Sequence, residues 1–321
     1  GVGINALGSV VHGDMNGVQI TGLANLAGGT MRGVQLAGIS NISGNNTVGL
    51  SAAGLVNITG DRTQGVIISG LTSIGGDNTS GLMISGFMNV TGNMASGLHF
   101  SGAANITGQS FGGLMASGLL NVVGEHMNGL QMAGIANITA SKLNGVQIAL
   151  CNYATQARGL QIGLVNYYKE DMKGFQLGLV NANPDTRVQM MVYGGNATPA
   201  NIGVRFKNQL FYTILGIGSM YQGLNDKFSA SASYRAGLSF TLYKGLSISG
   251  DLGYQHIEAF DNKDEVIPKR LYALQARANL EYQFTRKFGI FATGGYGLTR
   301  FYNKSSNYDK GAIIEAGIVL F

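Results

Sequence analysis

A sixteen-residue motif that opens with glycine recurs almost without interruption over residues 1–144. Its clearest copies are GVQITGLANLAGGTMR (17–32), GVQLAGISNISGNNTV (33–48), GLMISGFMNVTGNMAS (81–96) and GLQMAGIANITASKLN (129–144). A fixed period of this length means one small structural unit copied and stacked. Function in such an array spreads over a surface instead of concentrating in a pocket.

Within each unit the second position is Val or Leu, the fourth is mostly aliphatic, the sixth is Gly, the seventh is usually large and apolar, and the tenth is Ile, Leu or Val. The ninth is asparagine, recurring as Asn25, Asn41, Asn57, Asn89, Asn105, Asn121 and Asn137, with Ser73 the break in that run. Positions two and four fit one face of a strand, whereas seven and ten fall out of phase unless the chain turns at the inner glycine and again near the asparagine. That is the pattern of a coil with corners, and the fifteenth position can return the chain to the core. Stacked in parallel, the asparagines form a structural ladder whose amides satisfy one another up the column. The competing reading makes every unit a membrane-crossing antiparallel strand of one large continuous barrel. Two signatures disfavour it. Duplicated antiparallel strands should show a two-unit period, and residues 1–144 contain no Tyr or Trp and only Phe87, Phe100 and Phe111 to build aromatic girdles.

Composition changes after the repeats. All fourteen Tyr lie from Tyr153 onward, and the first 144 residues carry three Lys/Arg and four Asp/Glu against eighteen and twelve afterwards. Residues 145–186 keep the motif in shortened form, as GLQIGLVNYYKEDMK (159–173) and GFQLGLVNANPD (174–185), until Pro184 stops it. From Arg187 the period becomes two: Tyr272, Leu274, Ala276, Ala278, Leu280, Tyr282 and Phe284 alternate with Ala273, Gln275, Arg277, Asn279, Glu281 and Gln283. Strands this long, apolar with terminal aromatics on one face and polar on the other, predict a transmembrane β-barrel over 187–321. About eight strands are expected, near 187–194, 200–207, 209–220, 230–243, 245–258, 270–284, 286–302 and 311–321, with long loops near 221–229, 259–269 and 303–310. The fold class is therefore all-β, a solenoid (1–144), a transition (145–186) and a small barrel (187–321).

A barrel of eight strands is just wide enough for side chains to fill it. Inward-facing Arg205, Arg235, Asp251, Arg277 and Glu281 should pair into a lumen network that leaves no open pore. In the last strand Ala312, Ile314, Ala316, Ile318 and Leu320 make the lipid face, and Glu315 falls on the opposite one. Catalysis finds little support. The four histidines are scattered, and by alternation Asp251 and His256 do not share a face. The one cysteine, Cys151, excludes an internal disulfide and a Cys-rich metal site, and reads as a small core residue. No catalytic residue, cofactor or metal is expected. The Lys and Arg are dispersed, without a base-reading cluster, so nucleic acid is not an expected partner and lipopolysaccharide phosphates are the better attraction. No apolar run is long enough for a membrane helix, and a signal peptide removed before Gly1 is expected.

The G-[VLF]-Q-[IL]-x-G-L-x-N units, shortening to GLQIGLVN and GFQLGLVN and followed by NIGVRFKNQLFYTILGIG and a Tyr-rich barrel, resemble the surface-repeat outer-membrane proteins of Bacteroidota and Leptospira. The first unit departs from the pattern, with Ala6 and Ser9 in place of Gly and Asn. The resemblance implies a Gram-negative outer membrane and brings no catalytic or binding residues with it. The expected function is non-enzymatic: a barrel-anchored repeat scaffold that offers a regular, nearly uncharged surface to a protein or glycan partner, with membrane lipid and lipopolysaccharide around the barrel. The alternative is a channel or transporter formed by one large barrel.

Overall fold

The chain is seen in a computed structural model that describes residues 1–208, 210–219, 228–260, 270–302 and 307–321. All its strands belong to a parallel β-solenoid or a closed eight-stranded barrel, within compact units Gly1–Gly178 and Leu179–Phe321. Successive repeats pair in parallel with each residue opposite its counterpart in the next copy, as in Val18↔Val34, Gly81↔Gly97 and Asn89↔Asn105. Parallel neighbours exclude one continuous antiparallel barrel. Each coil has a long strand such as Asn78–Ser85 and a short one such as Met88–Thr91. The shortened repeats keep stacking, with Gly145↔Gly159 and Gly159↔Gly174 in register, and absorb the missing residues as irregularities between Thr139 and Lys142 and between Ala154 and Gln156.

The glycine that opens each unit is required by its backbone. Gly65, for example, has φ 130°, and a Cβ there would overlap the Gly49 carbonyl oxygen of the coil below. Only glycine accepts both conditions.

The apolar positions that define the repeat do not line the interior. Buried instead are position three (Gln19, Gln35, Met83, His99, Gln131), position five (Thr21, Ser69, Ser85), the asparagine, position eleven (Ala27, Thr59, Val123) and position fifteen (Met31, Thr63, Phe111, Met127). Positions two, four, seven and ten turn outward, as Leu98, Ile84, Phe87 and Ile74 do. Alternation lets either positions two and four or three and five face inward. Hydrogen bonding among the inner amides decides for the second. Apolar packing inside is concentrated around positions eleven and fifteen, in the cluster Ala95, Phe111, Met115, Val123, Met127 and Leu143. Cys151, expected in the core, is exposed, because the residue before each asparagine lies on the outer side of the short strand.

The asparagine Nδ2 atoms donate along the stack to the next Oδ1: Asn25 to Asn41 at 2.9 Å, Asn41 to Asn57 at 3.0 Å, Asn89 to Asn105 at 2.8 Å, Asn105 to Asn121 at 2.9 Å and Asn121 to Asn137 at 3.0 Å. The column continues from Asn137 through Asn152 to Asn166. Each amide also donates to a carbonyl of the following coil just before its corner, as Asn89 does to Phe100 O at 2.8 Å. At the Ser73 break hydroxyls carry the chain: Asn57 donates to Ser69, Ser69 and Ser73 share a hydrogen bond, and Ser85 links Ser73 to Asn89. A glutamine column runs beside it with donors pointing the other way, Gln35 to Gln19, Gln147 to Gln131, Gln161 to Gln147 and Gln176 to Gln161.

The barrel strands are Arg187–Gly195, Ala200–Asn208, Phe211–Ser219, Ser229–Tyr243, Leu246–Ala259, Arg270–Thr285, Phe288–Phe301 and Asn307–Leu320. Each pairs antiparallel with the next, and the first pairs antiparallel with the last to close the ring. The last strand begins at Asn307, earlier than the expected 311. The expected positions 209 and 220, and residues 221–227, 261–269 and 303–306 of the three expected loops, lie outside the described residues. Among the described residues, two tight connections, at 244–245 and 286–287, share one end with the start of the first strand, where Arg187 faces Lys207. At that end Thr213, opposite in parity to lumen-facing Tyr212 and Ile214, donates to Leu179 O at 3.0 Å, and Asn208 donates to Asn181 O at 2.8 Å. Leu179 and Asn181 thus lie against the outer wall of the barrel.

The ladder generates a test. Asn89→Leu leaves the Phe100 carbonyl and Asn105 Oδ1 without their donor, a loss of about 1–3 kcal/mol, whereas Asn45→Leu, at an exposed corner, should leave unfolding nearly unchanged. Thermal or urea unfolding of the two variants compares them, and equal losses would count against stacked amides.

Candidate functional site

The barrel interior is the most chemically organised region of the chain. Alternation along each strand sends every second side chain inward, and the charged ones arrive in pairs. Arg205 forks onto Glu281 at 2.6 and 2.9 Å and also donates to Gln189. Arg235 forks onto Asp251, with both contacts at 2.8 Å, and donates to Asn279 at 3.1 Å. Arg277 forks onto Glu315, with both contacts at 3.1 Å. Tyr212 and Asn279 donate to Asp251 at 2.7 and 2.8 Å, and Arg235 also lies 3.8 Å from Glu315. The three pairs are nearly inaccessible to solvent.

Buried ions are tolerable only when paired and hydrogen-bonded on their remaining positions, and here three guanidinium groups meet three carboxylates. All five lumen residues read from the sequence, Arg205, Arg235, Asp251, Arg277 and Glu281, take part. Glu315, Tyr212, Asn279 and Gln189 complete the network. Glu315 was legible from its place opposite the apolar face of the last strand, whereas the neutral partners carry no signal until the strand registers are known. Met191, Tyr193, Ile214, Phe291 and Val319 fill the lumen around these groups. Open space remains at both ends of the described lumen. A volume of about 450 Å³ lies beside Asn196, Gln275, Thr299 and Asp309, and one of about 400 Å³ lies beside Asp185, Arg187, Lys207 and Gln283 at the short-connection end.

Outside, the barrel is apolar between two aromatic groups. Tyr282, Phe284 and Phe288 pack together near the short connections, with ring centroids 4.9 and 5.8 Å apart. Tyr254, Tyr272 and Tyr302 pack together toward the other end. Tyr272 and Tyr282 sit ten residues apart on one strand, which at about 3.3 Å per residue and a tilt of about 40° separates the belts by about 25 Å along the barrel axis, the height of a membrane-facing band. His256 lies beside the second group, its Nδ1 2.7 Å from the Tyr302 hydroxyl and its Nε2 3.3 Å from Glu258. Asp251 is inside, bound to Arg235, so the two groups face opposite sides of the wall.

In the solenoid the charged groups of the first 144 residues, Asp14, Arg32, Asp61, Arg62, Asp77, Glu125 and Lys142, all fall at positions thirteen, fourteen or sixteen. They share one edge of the stack. A groove of about 430 Å³ runs along it beside Arg62, Asn78, Met94 and Asn128, floored by Thr79, Ala95 and Phe111. It opens where position sixteen is small, at Ser80, Ser96 and Gly112. Among the described residues no group of His, Cys, Asp and Glu could hold a metal ion.

One buried group in the solenoid is titratable. His99 occupies position three, in register between Met83 and Met115, with its ring edge-on to Phe111 at 5.0 Å. Its Nε2 has no hydrogen-bond partner among the described residues. Burial without a partner disfavours the imidazolium and lowers its pKa to about 4.

Comparison with protein-family models and with curated protein sequences gives no match. Among solved structures, the N-terminal β-barrel domain of Pseudomonas aeruginosa OprF is similar at 16% identity and a TM-score of 0.31, over 41% of this chain and 93% of that domain.

Two predictions rest on this geometry. Arg277→Ala strands Glu315 in the lumen and should destabilise the barrel by about 3–5 kcal/mol without altering its outer face; Arg277→Met with Glu315→Leu should recover part of the loss. Heat-induced mobility shifts of detergent-solubilised protein measure both, and a wild-type transition in the single variant would refute the network. For His99, the folded pKa lies below the ordinary 6.5, so the unfolded chain binds the proton first as pH falls. Stability from its neutral burial is complete above pH 6.5 and declines toward pH 4 by about 3 kcal/mol. His99→Met, matching its column neighbours, should remove this component. Identical pH profiles for the two proteins would contradict it.

Proposed function

We propose that this chain is a non-enzymatic outer-membrane protein of a Gram-negative bacterium, in which a closed barrel anchors a repeat scaffold for a protein or glycan partner. The observation that carries the reading is the barrel wall: apolar outward side chains bounded by two aromatic belts about 25 Å apart, the dimension of a membrane-facing band. The lumen supports anchoring over transport, since three ion pairs and their hydrogen-bond partners occupy the space between its two ends. Phosphates of lipopolysaccharide suit the exposed basic residues of the barrel. The resemblance of the GLQIGLVN-type repeats to surface-repeat outer-membrane proteins points the same way.

The groove on the charged edge of the solenoid is the place for the soluble partner. Its Asn, Ser, Thr and Arg side chains donate and accept hydrogen bonds as a glycan or an extended peptide requires. An even number of strands and entry at the short-connection end support a periplasmic position for the segment before Arg187, since short turns lie on that side in such barrels.

The reading is tested in cells and in bilayers. An epitope tag in the 61–64 turn should stay unlabelled on intact cells and become labelled once the outer membrane is permeabilised, and purified protein should give no steady conductance across a planar bilayer. Labelling of intact cells would overturn the periplasmic placement, and large steady currents would favour a channel.

A further inference from the structure

The outward position-seven residues Leu23, Ile39, Leu55, Leu71, Phe87 and Leu119, with the smaller Ala103 between the last two, form a column on the corner opposite the charged edge. Phe87 keeps 54% and Leu119 49% of its surface exposed. The outward apolar positions two and four flank the column on one side and position ten on the other. At about 4.8 Å per coil, ten coils extend this surface over roughly 50 Å, whereas soluble monomers rarely expose contiguous apolar patches beyond a few hundred Å². Directly beneath it lie the asparagine column and the position-five hydroxyls, while the apolar packing of the interior is concentrated at positions eleven and fifteen. Apolar outside and amide inside is the arrangement suited to a hydrocarbon surround and not to water.

We infer that this corner lies in a lipid leaflet, so that the solenoid rests along the membrane with its charged edge in water. Three observations select lipid over a protein partner. All seven charges of residues 1–144 sit on the opposite edge, so the section of every coil divides as an interfacial amphipathic element does. The corner's backbone is satisfied within the stack: Leu55 N donates to Ile39 O, Leu71 N to Leu55 O and Phe87 N to Leu71 O, each at 2.9 Å. Lipid can therefore meet it without an unpaired peptide group, the condition that excludes ordinary loops from hydrocarbon. The exposed residues are mostly Leu, Ile and Phe, types that also cover the barrel wall at Ile217, Leu238, Phe240 and Leu252. The inference rests on the membrane reading of the barrel, and it leaves the groove on the charged edge free for the soluble partner.

The sequence contains no Trp, so single tryptophans report their surroundings cleanly. The full chain is reconstituted into phosphatidylcholine vesicles with brominated acyl chains, carrying Phe87→Trp or Leu119→Trp on the apolar corner, Gln109→Trp on the charged edge, or Leu252→Trp on the barrel wall. Both corner variants should show blue-shifted emission and bromolipid quenching comparable to Leu252→Trp and several-fold stronger than Gln109→Trp, while aqueous iodide quenches Gln109→Trp alone. Corner tryptophans quenched by iodide and not by bromolipid, with Leu252→Trp quenched as expected, would place the corner in water and overturn the inference. Corner tryptophans shielded from both would mean that protein covers it, which overturns the inference equally. An unquenched Leu252→Trp would instead remove the barrel from the bilayer, and the inference would fall with that reading.

Discussion

Both halves of this chain are solutions to one requirement, that strands have backbone donors and acceptors on both sides and each must be met. The solenoid meets it by repetition, each coil pairing with the coil before and the coil after. The barrel meets it by closure, Arg187–Gly195 pairing with Asn307–Leu320 so that no edge remains. The strictness of the sixteen-residue period follows. A coil with one residue too many would misplace every glycine whose missing Cβ lets the carbonyl below approach, and the units that depart from sixteen begin at Gly145, with the irregularities at 139–142 and 154–156 absorbing the difference between paired coils.

Inside the two units the same kind of interaction has different consequences. In the solenoid the buried polar groups are neutral amides and hydroxyls arranged in columns, so each coil satisfies its neighbours with its own side chains. In the lumen they are ions on different strands, such as Arg205 and Glu281, and the network forms only once the ring has closed. Removing an amide damages the coils around it, while removing one ion leaves a charge with nowhere to go. Coil stacking is local and barrel closure is global, and the polar chemistry of each unit follows that difference.

Much of this was legible in the sequence. Exact recurrence of Gly and Asn fixes a stack, and strict alternation from Tyr272 to Phe284 fixes a membrane-type strand together with the inward direction of Arg277 and Glu281. The partner of Arg277 was harder. Alternation says which wall a side chain faces but not which residues meet across the lumen, and Glu315 joins Arg277 through the stagger of strands distant in sequence. The direction of the solenoid's apolar positions was the least legible feature. Period-two alternation is symmetric between inside and outside, and the habit of placing Leu and Ile inward gives the wrong side here. The inward glutamines carried the missing information, because a buried amide needs a partner of its own kind at the same height in the next coil.

The opposed donor directions of the two amide columns have an electrical consequence. Every asparagine amide that donates to the next asparagine points its dipole the same way along the stack, and such a column alone would accumulate a macrodipole as aligned peptides do in a helix. The glutamine amides at 19–35 and 131–176 donate in reverse, so wherever both columns run their dipoles oppose. Over the central coils, where position three is Ser51, Ile67, Met83, His99 and Met115, no glutamine opposes the asparagines, so the net side-chain dipole of the stack is set by its middle and not by its ends.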